Sequence, residues 1–413
     1  VRNKEDCQVA PIPIINVAPK RALGLHVGPA QIKLVEMERT GREPLITQML
    51  WEETPPEAYV GNRLENPGAL AGVLIRMLQA ARIRTRFALA AVDGSEVITR
   101  TINLPNMPIR ELRKAIMFET EASLPSGTGD NVLDYAILRT FVSEEDNTEK
   151  VAVLIISAQK QPLGLLVEAM LESGLRPNAL DLTPVAAHRA ESRSPKIQER
   201  GGEYILMTVN DRCTDLTIVY DGQVRILRSI PIGSVGFLDA LGEKHLFDSG
   251  LGESAVSKHA AKVAAEEEDL GIVHHREEDL EFGAFGEDPF SAEMSARDEA
   301  LAREGFEERD ELARLNPLMT ELVDEALNTI RYGQSFSKER TEIAFGVIDG
   351  YFPYGKQFVR SMSDKLGIPV VSGDPLSGLR IAESGIREDL IRDFAPDFSC
   401  AVGLALRGIR QFG

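Results

Sequence analysis

The sequence predicts an α/β protein of two lobes, the first carrying an inserted subdomain, and three observations carry that reading. Two strand–turn–strand units of the same shape stand far apart in the chain. One is Ala22–Val27 and Gln31–Met37 around the turn Gly28-Pro29-Ala30. The other is Tyr204–Val209, Thr214–Tyr220 and Val224–Ile230, joined at Asn210–Arg212 and at the hairpin turn Asp221-Gly222. Their repetition points to a duplicated domain with a cleft between the halves. Between the two units the elements follow the order β-α-β-β-α-β, a split unit of about eighty residues. A length of 413 residues and an apolar share of 43% suffice for two large lobes with full cores.

In order, residues 1–20 hold Pro11, Pro13 and Pro19 and read as an extended tail. Leu45–Leu50 is a third strand. Asn66-Pro67 opens a helix, with proline suited to the first turn, and Leu70, Val73, Leu74, Met77 and Ala81 form its apolar stripe. Phe87–Val92 is a buried strand. The split unit then runs through the strand Val97–Leu104, a helix from Pro108 to about Ser123, strands at Val132–Leu138 and Val151–Ser157, a helix opened by Pro162, and a strand at Leu175–Leu182. Gly174 stands where a helix C-terminal glycine belongs. Ser192–Gly202 is polar and reads as a linker. The second lobe continues with helices at Val235–His245 and Leu318–Tyr332, a strand at Ile343–Ile348, a helix at Phe358–Leu366, a short strand at Ile368–Val371 and a last helix at Cys400–Leu406. The expected division is a first-lobe core of 21–95 plus 176–200, an inserted subdomain of 96–175, a second-lobe core of 203–250 plus 341–413, and a helical subdomain of 251–340 containing an acidic insert.

Charge narrows the function classes. The net charge is -18, and residues 251–310 alone hold 18 acidic against 6 basic residues. An acidic chain gains no counterion-release affinity for nucleic acid, so DNA and RNA are not expected partners. The acidic stretch reads as a solvated insert. No apolar run approaches the roughly 20 residues that span a bilayer, and the first residues lack the apolar core of a signal peptide, so the expected location is the cytoplasm. Cys7, Cys213 and Cys400 are too scattered for a metal or redox motif. His274-His275 has no metal-ligand spacing, and no metal site is expected.

Several segments together resemble one family. Leu23-Gly24-Leu25-His26-Val27-Gly28 through Ile32-Lys33-Leu34-Val35-Glu36 resembles a first hairpin. Leu104-Pro105-Asn106-Met107-Pro108 through Ala115–Glu121 and Leu124-Pro125 resembles an inserted subdomain. Gly174-Leu175-Arg176-Pro177, Ile230-Pro231-Ile232-Gly233 and Ala401–Gly408 match later segments in order and spacing. The family is PilM, the actin-like protein of type IV pilus assembly and competence, and the resemblance covers about 22–250 and 315–410. It implies an actin-like two-lobe (ribonuclease H-like) fold.

An actin-like cleft holds ATP because tight turns aim backbone N–H groups at phosphates, glycine permits the close approach, and carboxylates hold magnesium through water. Set against that pattern, this chain departs at three places. His26 replaces an acidic residue of the first turn. Gly28 is kept, but Pro29 and Ala30 replace hydroxyl-bearing residues, and proline offers no N–H. The Asp-x-Gly of the second turn falls on Thr208-Val209-Asn210, where Asn210 tolerates a left-handed backbone and Asp211 adds a negative charge on the phosphate path. The glycine run of the adenosine turn falls on Gly350-Tyr351-Phe352. Losing several charge-assisted contacts, at about 1.5–3 kcal/mol each, weakens ATP by orders of magnitude. The cleft is therefore expected to be degenerate, with ATP and magnesium disfavoured. No catalytic residue is expected: His26 and Asp349 read as structural, Asp349 as a carboxylate in an Asp-Gly turn.

The resemblance implies a scaffold at the inner membrane. It would bind the cytoplasmic N-terminal tail of a PilN-like membrane protein in a groove beside the subdomain, with Met107, Ile116, Phe118 and Leu124 as candidate lining residues. The same four residues fit ordinary core packing. The pilus motor ATPase and a platform protein are further candidate partners, and membrane contact is expected only through partners. The competing readings are an active actin-like ATP-binding protein or kinase, a filament protein of the FtsA kind, and a type II secretion platform component of the same fold. The FtsA kind would need an amphipathic membrane helix after the last core helix, where the sequence shows only Gln411-Phe412-Gly413.

Overall fold

A computed structural model describes residues 19–41, 43–123, 130–143, 146–242, 312–334, 342–352, 355–382 and 394–410. Most of the expected tail, Cys7, Leu124 and the whole acidic stretch 251–310 lie outside the described residues.

The first lobe opens with β1 (Arg21–Val27), β2 (Gln31–Glu38) and β3 (Leu45–Glu53), paired antiparallel in sequence order. A small hairpin, β4 (Tyr59–Val60) and β5 (Arg63–Leu64), leads to helix α1 (Pro67–Ala80), whose first turn is capped by Asn66 accepting from the Ala69 N–H at 3.1 Å. Strand β6 (Phe87–Val92) then pairs parallel with β1. The inserted subdomain follows as β7 (Val97–Pro105), α2 (Ile109–Ser123), β8 (Asn131–Val142) and β9 (Glu149–Gln159), a three-stranded sheet ordered β7-β9-β8. Leu112 and Ile116 of α2 pack on Leu104, Val151, Val153 and Ile155, so the subdomain has a core of its own.

The split unit divides at this point. Helix α3 (Lys160–Glu172) buries Leu166, Ala169 and Met170 against α1, inside the first-lobe core, and β10 (Arg176–Leu182) joins β6 in the first-lobe sheet. The expected boundary at 175 is therefore too late, because the apolar stripe of α3 matches the first lobe. Helix α4 (Thr183–Glu191), which the sequence pattern does not reveal, and α5 (Pro195–Arg200), inside the expected linker, come next.

The second lobe repeats the plan. Strands β11 (Glu203–Val209), β12 (Thr214–Tyr220) and β13 (Gln223–Ile230) pair antiparallel in order. After α6 (Ser234–Leu241) and a helix over 312–334, β14 (Ile343–Gly350) pairs parallel with β11. The helix Gly355–Leu366 and β15 (Val370–Ser372), parallel to β14, complete a sheet ordered β13-β12-β11-β14-β15. Met319, Leu322, Val323 and Ala326 of the 312–334 helix cover one face, with Phe237, Phe358 and Met362.

The chain then returns to the first lobe, which corrects the assignment of 341–413 to the second. Strand β16 (Arg380–Ile381) adds to β3, giving a sheet ordered β10-β6-β1-β2-β3-β16. The last helix, Ser399–Arg410, lies across the buried face of that sheet, where Ala401, Val402, Ala405 and Ile409 pack on Ala22, Val35, Met37 and Ile46. Small residues permit the approach: a Cβ on Gly24 would strike the Ala401 carbonyl, and one on Gly403 would strike that of Ala186 in α4. Helix α4 also reaches the second sheet, with Ala187 beside Tyr204, Leu206 and Val219. It and the last helix thus form the floor of the cleft.

Candidate functional site: a cleft filled by its own carboxylates

The first-lobe side of the cleft is the turn from Gly28 to Gln31. The Gly28 N–H donates to the Gln31 carbonyl at 2.8 Å. Thr54 pins the turn from outside, its hydroxyl donating to the Gly28 carbonyl at 2.7 Å and its N–H to the Ala30 carbonyl at 2.9 Å. The N–H groups of Ala30 and Gln31 therefore point away from the sheet. Both donate to Asp211 Oδ2, at 2.6 and 3.2 Å. Pro29 gives no N–H, as expected, yet its neighbours keep theirs, and an acid from the opposite lobe has taken them.

Asp211 sits in the β11–β12 turn. Asn210 N–H donates to the Cys213 carbonyl at 2.8 Å, and the carbonyls of Asn210 and Asp211 accept from Ser234 and Val235 at 2.9 Å each. The turn is thereby bolted to the start of α6. Burial raises the Asp211 pKa, opposed by the nearby Lys33 ammonium and the Ala30 N–H. Lys33 is itself buried and forms an ion pair with Asp397. Burial alone would lower its pKa, but Asp397 and Asp211 overcome that and raise it. Asn210 does not use the left-handed backbone it could tolerate. Its side-chain amide instead donates to Asp215 Oδ2 at 2.9 Å.

A second group lies at the end of β6. His26 Nε2 is 3.4 Å from Asp93 Oδ1, which also accepts from the Thr183 hydroxyl at 3.0 Å. His26 is thus a buried partner of an aspartate. Asp215 and Glu96 are both pushed up to about 7, first by burial and then by Asp93.

The third group is at the end of β14. Gly350 has φ +88°, and a Cβ there would strike the Val209 carbonyl, so this glycine is required by the backbone. Phe352 packs on Phe358 with ring centroids 5.3 Å apart, which turns it into the second-lobe core. Tyr351 is half-buried. Asp349 is fully buried in register with Thr208, which corrects its reading as an ordinary turn carboxylate. It neighbours Glu191, whose oxygens accept from the Asp374 N–H at 2.8 Å and the Ser399 hydroxyl at 3.1 Å. Burial first, then Glu191, raises Asp349 well above the carboxylate range. Sequence reasoning missed Lys33, Asp93, Glu191 and Asp215. A charged residue inside an apolar strand pattern, as Lys33 and Asp215 are, was the available signal. Among the described residues no group of three or more His, Cys, Asp and Glu could hold a metal ion.

The four candidate groove residues do not converge. Ile116 is buried in the subdomain core, and Met107 packs against it. Phe118 points outward at 71% exposure, on a helix that also exposes Ile109 and Met117. Leu124 lies outside the described residues. Helical periodicity separates Ile116 from Phe118 by about 200°, so the two cannot line one face.

A fold of two lobes with the same strand plan, closing on a cleft between paired turns, is the mixed α/β actin-like ATPase fold. Residues 24–260 match the family model described as type IV pilus assembly protein PilM, and the chain belongs to that family. A solved structure described as a PilM-PilN type IV pilus biogenesis complex superposes with a TM-score of 0.70 at 22% identity, covering 95% of this chain and 100% of that one. Looser matches include MreB5 of Spiroplasma citri bound to ADP, with TM-score 0.43, 11% identity and coverage of 94% and 96%. Another is the ethanolamine utilization protein EutJ from Carboxydothermus hydrogenoformans, with TM-score 0.40, 13% identity and coverage of 94% and 90%. Among the described residues no helix is long and apolar enough to cross a membrane.

Proposed function

We propose that this chain is a scaffold of the type IV pilus inner-membrane platform that binds the cytoplasmic tail of a PilN-like membrane protein and does not hydrolyse ATP. The observation that carries the second half is the Asp211 carboxylate on the Ala30 and Gln31 N–H groups, where an actin-like cleft would seat a phosphate. An incoming triphosphate would have to displace the Asp211 carboxylate from those donors, with Lys33 already paired to Asp397. The first half is supported by family membership and by the similarity to a structure described as a PilM–PilN complex. A tail peptide needs no catalytic group, only a groove or sheet edge. On α2 the adjacent Met117 and Phe118 are exposed apolar side chains of the inserted subdomain available for such contact. The protein would then sit on the cytoplasmic face of the inner membrane through that partner.

The test is a pair of calorimetric titrations into the purified protein, one with the partner's N-terminal tail peptide and one with ATP and magnesium. Binding of the peptide without measurable ATP binding is the expected result. Micromolar ATP affinity with turnover would replace this reading by an active nucleotide-driven switch.

A further inference from the structure

We infer that Asp211 is a built-in substitute for a phosphoryl group: the Gly28–Gln31 turn is an anion site whose resident anion is the chain's own carboxylate, and this contact latches the second lobe onto the first. Successive backbone N–H groups on a tight turn make an anion-binding concavity, whatever the anion. Here two consecutive donors, Ala30 and Gln31, converge on the single oxygen Asp211 Oδ2, at 2.6 and 3.2 Å. The shorter of the two has the length of a charge-assisted bond.

The turn is also shaped for an oxyanion. A Cβ on Gly28 would collide with Asp211 Oδ2. The glycine that lets a phosphate approach backbone is thus present, and a carboxylate oxygen uses the space. Lys33 acts on Asp211 in the sense that favours its ionised form. On the other side, Asp211 does not swing on a free side-chain turn. Its own carbonyl is held by the Val235 N–H at 2.9 Å, and its neighbour Asn210 is held at both backbone groups. A rigid turn of one lobe therefore presents a fixed negative charge to a rigid pair of donors 180 residues away in sequence. The consequence is a cleft closed without nucleotide. Once Asp211 is removed, the same donors would take a tetrahedral oxyanion such as inorganic phosphate.

The inference builds on the reading above that the cleft does not serve ATP hydrolysis, and its test is independent of the tail peptide. Amide hydrogen exchange at Ala30 and Gln31 is compared in the wild-type protein, Asp211→Asn and Asp211→Ala. The expected result is strong protection in the wild type and at least tenfold faster exchange of these two amides in Asp211→Ala, with Leu34 and Val35 in β2 unchanged. Millimolar inorganic phosphate or pyrophosphate then restores protection in Asp211→Ala and has no effect on the wild type. Asp211→Asn, which keeps an acceptor oxygen and loses the charge, falls between the two and decides the matter if the alanine variant does not fold. Equal exchange at Ala30 and Gln31 in the wild type and in Asp211→Asn, or phosphate protection of the wild type, overturns the latch. Lost peptide binding with these amides still protected would count against the scaffold reading alone.

Discussion

The side-chain amide of Asn210 donates to Asp215 at 2.9 Å, on an aspartate of which 1% is exposed. The turn thereby gives a hydrogen bond to an acid that burial drives toward its neutral form.

That acid makes the fold sensitive to pH. Burial comes first among the causes that push Asp215, Glu96 and Glu191 up to about 7, and neighbouring acids add to it. In the unfolded chain these groups lose their protons near pH 4, so between about pH 4 and 7 the folded state holds more protons than the unfolded one. Stability then falls as pH rises through that window. A tenfold difference in a carboxyl's acidity between the two states corresponds to about 1.4 kcal/mol, so the unfolding free energy should rise by about 2 kcal/mol or more between pH 8 and pH 5.5. Urea unfolding at a series of pH values reads this directly, and Asp215→Asn should flatten the dependence.

The ion pair of Lys33 and Asp397 joins β2 to the segment that leads into the last helix. Both side chains are largely buried. Lys33→Met would leave Asp397 without its cation and cost about 3 kcal/mol, because a buried charge without a partner cannot recover its hydration. The double change Lys33→Met with Asp397→Leu should recover much of that loss. Thermal unfolding followed by circular dichroism distinguishes the two.

Gly403 lies where the last helix crosses α4, and a Cβ there would enter the Ala186 carbonyl. Gly403→Ala, harmless on an exposed helix, should here cost about 2 kcal/mol or more through displaced backbone. The same substitution at Gly164, where a Cβ meets nothing, should be neutral or slightly stabilising. Melting temperatures of the two variants provide the comparison.

On α2 the inner and outer faces should separate in experiment. Ile116→Ala opens a cavity in the subdomain core and should cost about 2–4 kcal/mol. Phe118→Ala removes a ring that is 71% exposed and should change stability by less than about 0.5 kcal/mol. In the proposed scaffold it should weaken the tail peptide several-fold. Unfolding curves check the first statement and peptide titration the second.

Local patterning made most elements legible. Phe87–Val92 matches its strand end for end, and α1 starts at Pro67 as the Asn-Pro signal requires. The turns at Gly28 and Asn210 were also recognisable as the two sides of a cleft. Helix α4 was not, because its buried residues are alanine, threonine, proline and glutamate and carry little hydrophobic contrast. The boundary between lobe and subdomain was misplaced for a related reason: the stripe on α3 shows that the helix is buried, and nothing in it says against what.

By itself the sequence determined the duplicated plan, the inserted subdomain and the turns that border the cleft, since periodicity and turn chemistry act over a few residues at a time. Only the tertiary structure decided what those turns contact. The contact of Asp211 with Ala30 and Gln31, the ion pair of Lys33 with Asp397 and the electrostatic influence of Glu191 on Asp349 join residues far apart in the chain. Their energies depend on burial and distance, which exist only once the chain has folded.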